Sequence, residues 1–190
     1  MGNLRVTGGV FKGRRIKVPA GHGVRPTPAR VREALFSILG EEVEGSVVLD
    51  LFAGSGSLGI EALSRGAKKV VFVEKDWGNS MVLVENLRSL GVDDERWDIF
   101  RQDVRSFIRT AERKGYEFDV IFMDPPYRSD LGEQSLILLD RSNLVKIGGI
   151  VVCESPRGKP QVELEMFVLH RQKRYGDTEI FIFRRREEFR

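Results

Sequence analysis

One cysteine and two histidines in 190 residues exclude two kinds of protein at the outset. Cys153 has no partner for an internal disulfide, and its place in the apolar run Ile150-Val151-Val152-Cys153 reads as a small buried hydrophobe in a reducing compartment. His22 and His170 lie far apart and without ligand spacing, so no metal is expected. There is no apolar run long enough to span a bilayer and no charged, apolar and small-residue leader. The expectation is a cytoplasmic protein without a membrane partner. Internal repeats and low-complexity tracts are missing too. Acidic side chains are absent from residues 1–32, which hold Arg5, Lys12, Arg14, Arg15, Lys17, Arg25, Arg30 and Arg32, although the net charge of the whole chain is only +3. A one-signed segment on a near-neutral body is the electrostatic footprint of nucleic-acid binding. A solvated basic arm with no dedicated partner has the same composition.

A hydrophobic content of 41% and a charged content of 31% suffice for one domain with a sizeable core, with room for a small appendage. Short β-prone stretches at 4–7 and 14–18, punctuated by Gly8, Gly9 and Gly13, predict a hairpin whose alternation puts Arg15 and Lys17 on one face. The Gly- and Pro-rich residues 19–28 read as a loop or linker, so residues 1–28 form a basic hairpin and linker and residues 29–190 the main domain. Val31, Ala34, Leu35, Ile38 and Leu39 recur at helical spacing, with Thr27 as N-cap and Pro28 in the first turn. Arg30 and Arg32 near that helix start oppose its dipole, a cost that a phosphate would offset. Predicted strands at 47–52, 69–74, 98–103, 118–123 and 150–154 alternate with predicted helices at 58–65, 80–90, 105–114 and 132–144. That alternation implies an α/β fold, a parallel sheet with right-handed crossovers and helices on both faces. Strands at 166–174 and 178–185, joined through Tyr175-Gly176-Asp177, add an antiparallel edge.

Two stretches carry chemistry. The strand at 118–123 ends abruptly in Asp124-Pro125-Pro126-Tyr127. Consecutive prolines fix two φ angles and remove two donors, leaving outward carbonyls beside an acid and an aromatic face. Such a corner suits a planar base with an exocyclic amino group, the acceptors taking its N–H bonds and the ring stacking. An ordinary strand-ending turn with a solvated Asp accounts for the same four residues. The second stretch, Ala53-Gly54-Ser55-Gly56-Ser57-Leu58-Gly59, follows a strand and opens a helix. Its Gly-x-Gly-x-x-Gly pattern also fits a dinucleotide site, but Asp50 just before it disfavours a pyrophosphate and suits a cationic ligand. Asp50, Glu74, Asp103 and Asp124 all fall at the carboxyl ends of parallel strands, where open α/β sheets bind ligands. The groups of S-adenosylmethionine each find a partner, its positive charge suited to Asp50, its ribose diol to Glu74 and its adenine amino group to Asp103. Strand-end acids also cap neighbouring helices, and Asp103 is well placed to cap the helix that follows it.

The run from Val48 to Gly59, taken with Asp124 to Tyr127, resembles the class I S-adenosylmethionine-dependent amino-methyltransferases, whose sheet is Rossmann-like. Gly8-Gly-Val-Phe-Lys-Gly-Arg14, Arg25-Pro-Thr-Pro-Ala-Arg-Val-Arg-Glu-Ala-Leu-Phe36 and Glu61-Ala-Leu-Ser-Arg-Gly-Ala67 are similar to the RsmD family. That resemblance implies a mostly parallel seven-stranded sheet with a C-terminal antiparallel hairpin and a small N-terminal β-hairpin extension. It implies methylation of the exocyclic N2 of a guanine in 16S ribosomal RNA, within an assembled or partly assembled small subunit and with no obligate protein partner. It places Gly54 and Gly56 by the methionine end of the cofactor, Glu74 at the ribose, and Asp103 with Val104 at the adenine. Phe52 and Lys75 join the cofactor site. Asp124, Pro125, Pro126 and Tyr127 hold the guanine, and the basic residues from Arg5 to Arg32 contact RNA. A DNA adenine or cytosine amino-methyltransferase would use the same corner but usually has an added target-recognition domain. A non-catalytic RNA-binding or assembly factor is the other alternative, and the intact Gly54, Gly56 and Asp124 speak against it.

Overall fold

The computed structural model describes residues 2–19, 27–126, 129–155, 160 and 162–187. Arg25 and Tyr127, both singled out above, lie outside the described residues. Strands β1 (Gly2–Arg5) and β2 (Arg15–Val18) pair antiparallel. In β2 the apolar Ile16 and Val18 are buried and Arg15 and Lys17 exposed, as period-two alternation requires. Helix α1 (Ala29–Leu39) follows. The chain then alternates through β3 (Val47–Asp50), α2 (Ser57–Ser64), β4 (Lys69–Val73), α3 (Trp77–Leu90), β5 (Trp97–Phe100), α4 (Val104–Arg113), β6 (Phe118–Met123), α5 (Leu131–Asp140) and β7 (Val145–Ser155). A hairpin of β8 (Phe167–Tyr175) and β9 (Thr178–Arg185) closes it.

The strand order is β5-β4-β3-β6-β7-β9-β8. Strands β5, β4, β3, β6 and β7 pair parallel, and β9 runs antiparallel to both β7 and β8. This is the Rossmann-like class I methyltransferase sheet expected above, and its order reverses between β3 and β6. Buried strands need apolar side chains on both faces, and these have them. Val48, Val70, Phe122 and Val152 point to one side, where Leu35 of α1, Ile60 of α2 and Leu87 of α3 meet them. Leu49, Val71, Ile121 and Val151 point to the other, against Phe107 of α4 and Leu136 of α5.

Several boundaries differ from expectation for local reasons. Helix α3 starts before residue 80 because Asp76 caps it, accepting from the Asn79 N–H at 2.8 Å. Strand β5 stops at Phe100, leaving Asp103 to cap α4. Helix α5 ends at Asp140, short of 144, where the buried Asp140 carboxylate accepts the N–H groups of Glu165, Met166 and Phe167 at 2.8, 2.9 and 3.0 Å. Strand β7 begins at Val145 and runs through Gly148 and Gly149, its register against β6 shifting between Phe118 and Val120. The glycines bend the strand and do not interrupt it. Thr27 does not cap α1. Pro28 stands at the N-cap without a side-chain bond, and the Thr27 hydroxyl donates to Glu154 Oε2 at 2.9 Å. Residues 28–30 at the start of α1 are exposed to water, whereas the buried carboxylate has more to lose without a donor.

A buried acid is one of the groups that fasten the N-terminal hairpin to the sheet domain. Glu61 on α2, 1% exposed, accepts from the Thr7 N–H at 3.0 Å, the Thr7 hydroxyl at 2.6 Å and the Gly8 N–H at 2.9 Å. It also pairs with Arg65 at 3.0 Å and Arg32 at 3.7 Å. Arg32 is therefore a correction to the surface set. It is 1% exposed and donates to the backbone carbonyls of Thr27 and Arg5, so it is a structural cation that joins α1 to the hairpin and does not reach RNA. Helical spacing shows why: Arg32 shares its stripe with Leu35, Phe36 and Leu39, all of them buried. Deleting Glu61 leaves Arg32 charged and buried without its counter-ion. Glu61→Ala is expected to lower the unfolding free energy by about 3–5 kcal/mol, read by urea denaturation. A loss within experimental error of zero would remove the clasp from the account of stability.

Candidate active site

Period-two alternation delivers three acids to one edge and one face. Asp50 follows Val48 at the end of β3, Asp124 follows Val120 and Phe122 just past β6, and Glu154 follows Ile150 and Val152 in β7. The register pairs Asp50 with Phe122 and Met123 with Cys153. Asp124 consequently stands beside Glu154 on the next strand, about 4.8 Å away by sheet spacing, with Asp50 one strand to the other side. Thr27, buried, reaches this row from the start of α1 through its bond to Glu154.

The glycine loop folds over the acids. Asp50 Oδ2 accepts the Gly59 N–H at 3.0 Å, Glu74 Oε2 accepts the Gly54 N–H at 2.8 Å, and Glu74 Oε1 accepts the Asp76 N–H at 2.7 Å. Gly54 has φ +53° and open space where a Cβ would stand, so its backbone faces a cavity of about 250 Å³. Asp50, Phe52, Gly54, Glu74, Lys75, Asp103, Val104, Asp124, Pro125 and Pro126 of the expected set line that cavity. Gly56 does not: it is the left-handed N-cap of α2, and a Cβ there would lie 2.2 Å from Leu83 Cδ1. Its smallness serves packing against α3, as that of Gly59 serves packing against Phe72, 2.2 Å from a Cβ built at that position. Asp103 takes the capping role and also borders the cavity. It caps α4 through the Arg105 N–H at 3.0 Å, pairs with the Arg105 guanidinium at 3.1 Å, and still lines the cavity.

Sequence reasoning missed Asn79 and Leu131 among the lining residues, and Thr27 and Glu154 behind Asp124. Asn79 had a signal, since it sits in the first turn after the strand-end acid Glu74. Glu154, the last alternate residue of an apolar strand, had the same signal as Asp124.

Of the basic residues, Arg5 donates to the Gly13 carbonyl at 3.1 Å, Arg14 to the Ser89 carbonyl at 2.8 Å, and Lys17 pairs with Glu85. Lys12, Arg15 and Arg30 are exposed. Asn86 of α3 connects the hairpin to the glycine loop, accepting from the Lys17 N–H at 2.8 Å and donating to the carbonyls of Lys17 and Ser55 at 2.9 and 3.0 Å. Among the described residues, no helix is long and apolar enough to cross a membrane, and no group of His, Cys, Asp and Glu could hold a metal ion.

The family model for conserved hypothetical protein 95 matches residues 4–184. A Haemophilus influenzae protein named ribosomal RNA small subunit methyltransferase D is 38% identical over 175 residues, covering 92% of this chain and 90% of that protein. The protein of the same name from Escherichia coli K12 is 36% identical over 186 residues, covering 97% and 91%. Among solved structures, the yhhF protein of Escherichia coli superposes with a TM-score of 0.85 at 34% identity, over 97% of this chain and 99% of that one. A putative methylase of Haemophilus influenzae does so with a TM-score of 0.83 at 34% identity, over 98% and 100%.

So much buried negative charge shifts proton affinities. Burial raises the Asp50 pKa to about 7, Glu74 adds to the rise, and the Gly59 N–H opposes it. Burial also pushes Asp124 well above the usual carboxylate range, with Glu154 and then Asp50 adding repulsion and the Thr27 hydroxyl opposing. The thiol of Cys153 rises to about 12 through burial and the neighbouring charges of Asp124, Glu154 and Glu133. A carboxyl whose pKa rises on folding binds its proton more tightly folded than unfolded. Its stabilisation is full below the unfolded value near 3.8 and is lost as pH climbs to about 7. Asp50→Asn keeps an acceptor for the Gly59 N–H and has no proton to lose. The wild type is expected to lose stability relative to this variant between those limits, by of order 4 kcal/mol. Paired denaturation curves at pH 4 and pH 8 measure the difference, and parallel pH dependence in the two proteins would show that Asp50 ionises normally.

Proposed function

The chain belongs to the family of conserved hypothetical protein 95, the RsmD family of methyltransferases, and on that premise we propose that it methylates the exocyclic N2 of a guanine in 16S ribosomal RNA, with S-adenosylmethionine as donor and an assembled or partly assembled small subunit as substrate. The observation that carries this reading is the convergence of Asp124 and Pro125 with Asp50 and Gly54 on one cavity. An acceptor corner for an amino group and a cradle for a cationic ligand thereby share a single space.

The donor set fits the cofactor. Asp50, buried at the floor beneath the loop, supplies negative charge to a ligand bearing an ammonium and a sulfonium. The Gly54 backbone leaves room for close approach, and Glu74 and Asp103 offer carboxylates at the ends of β4 and beyond β5 for hydroxyl and amino groups. S-adenosylmethionine supplies a methyl group activated by its positive sulfur. The residues of the chain do the rest. A guanine amino nitrogen is a weak nucleophile because its lone pair is delocalised into the ring. Asp124 and the Pro125 carbonyl accept its two N–H bonds, which draws the lone pair out of the ring plane and fixes its direction. As the nitrogen gains its methyl group it sheds one of these protons. Asp124, its pKa raised, is a better acceptor for that proton than an ordinary carboxylate. Tyr127 is assigned to stack on the extruded base, adding roughly 1–3 kcal/mol to binding. Lys12, Arg15, Arg30 and the other surface cations of the hairpin are assigned to RNA phosphates.

The deciding experiment is tritium transfer from labelled S-adenosylmethionine to small subunits lacking the modification, followed by nucleoside analysis. Label in N2-methylguanosine is expected, and label in another nucleoside would refute the assignment. Asp124→Ala is expected to lower single-turnover rate about 10²–10³-fold with little change in cofactor affinity by calorimetry; a lost affinity with intact chemistry would reverse the role. Cofactor affinity itself is expected to tighten as pH rises through about 7, where Asp50 ionises, and to be weaker and nearly pH-independent in Asp50→Asn.

A further inference from the structure

Thr27 and Glu154 make a bond that the proposed chemistry does not use. They are 127 residues apart in sequence, 1% and 5% exposed, and joined by a 2.9 Å hydrogen bond behind the reacting corner. Two features make this more than a satisfied buried pair. Glu154 is the register neighbour of Asp124, on the same face of adjacent parallel strands. A glutamate costs several kcal/mol to bury, and a strand continuing the pattern Ile150, Val152 would take an apolar residue at that point without any loss of packing. In addition, Thr27, the residue before the Pro28 N-cap of α1, uses its hydroxyl to hold this carboxylate.

We propose that Glu154, fixed by Thr27, is a positioning residue for methyl transfer: from the neighbouring strand it sets the direction of the Asp124 carboxyl towards the incoming amino group. The inference rests on the assignment of Asp124 as acceptor of the amino N–H bonds. Two like charges side by side each favour protonation of the other, so Glu154 makes Asp124 the stronger base, and the Thr27 hydroxyl, bonded to Glu154 and also within reach of Asp124, sets the two carboxyls relative to each other. The charged and titratable groups facing Asp124 are Glu154 on β7 and Asp50 at the end of β3, with the Thr27 hydroxyl ahead of α1, while Cys153 on β7 points to the other face of the sheet. Glu133 on α5 faces Cys153 from the opposite side of the sheet. Glu154 adjoins Asp124 and lies outside the cavity lining. Its removal therefore alters Asp124 without removing a cofactor contact.

The test is the pH dependence of kcat at saturating cofactor and subunit, compared with the same profile in Asp50→Asn so that ionisation of Asp50 is told apart from that of Asp124. In the wild type the rate falls on the acid side as Asp124 takes a proton. Glu154→Gln removes the neighbouring charge and keeps an acceptor for Thr27. Its acid limb is expected to move to lower pH, with a reduced plateau and cofactor affinity unchanged. Thr27→Val is expected to lose plateau rate by about tenfold, one hydrogen bond's worth of positioning, and Thr27→Ser to restore it. A Glu154→Gln limb that stays in place or moves to higher pH overturns the proposal, as does a Thr27→Val enzyme with the wild-type rate. If Asp124→Ala is inactive while Glu154→Gln behaves as wild type, this inference alone fails. If Asp124→Ala retains its rate, the acceptor assignment fails with it.

Discussion

Burial of like charge is the constraint around which this molecule is arranged. Asp50, Asp124 and Glu154 arrive at one edge of three neighbouring parallel strands because alternation in β3, β6 and β7 leaves each strand ending on the same face. Every feature nearby answers that concentration of charge. The Gly59 N–H is spent on Asp50, the Thr27 hydroxyl on Glu154, and the glycine loop lies across the row. A cavity that must admit a cation and an amino group, both rich in donors, is the natural complement of such an edge.

A second buried acid does the opposite work. Glu61 sits in α2 with both oxygens occupied by the hairpin backbone, a hydroxyl and two guanidinium groups. Where the acids of the active edge compete for scarce donors, Glu61 is surrounded by them. The contrast separates a carboxylate that binds the protein to itself from carboxylates kept for something else. The same contrast reassigns Arg32. A cation in a basic stretch has the composition of an RNA contact, but its helical stripe commits it to the interior, where Glu61 is waiting.

The topology was readable in the sequence because it follows from apolar runs of strand length alternating with helical spacing, and these survive any rearrangement of side chains. The cavity was readable nearly as well, since Asp50, Gly54, Glu74 and Asp124 are placed by the ends of strands. What escaped were pairings between distant segments. Nothing local in Thr27 says that its hydroxyl turns to β7 in preference to its own helix, and nothing in Gly56 distinguishes a glycine that faces a ligand from one that faces Leu83. The ends of α5 and β7 escaped for the same reason. Asp140 ends its helix at the point where it can hold the backbone of residues 165–167, a contact set by tertiary structure alone.

Cys153 carries a practical consequence. Its thiol is the single one in the chain, lies in the middle of the sheet, and holds its proton up to about 12. Alkylating reagents require a thiolate, so the native protein is silent towards them at neutral pH. A cysteine introduced at an exposed site such as Val10, 79% exposed in the hairpin turn, would be the sole reactive thiol, allowing a fluorophore or crosslinker to be attached there without first removing the natural one.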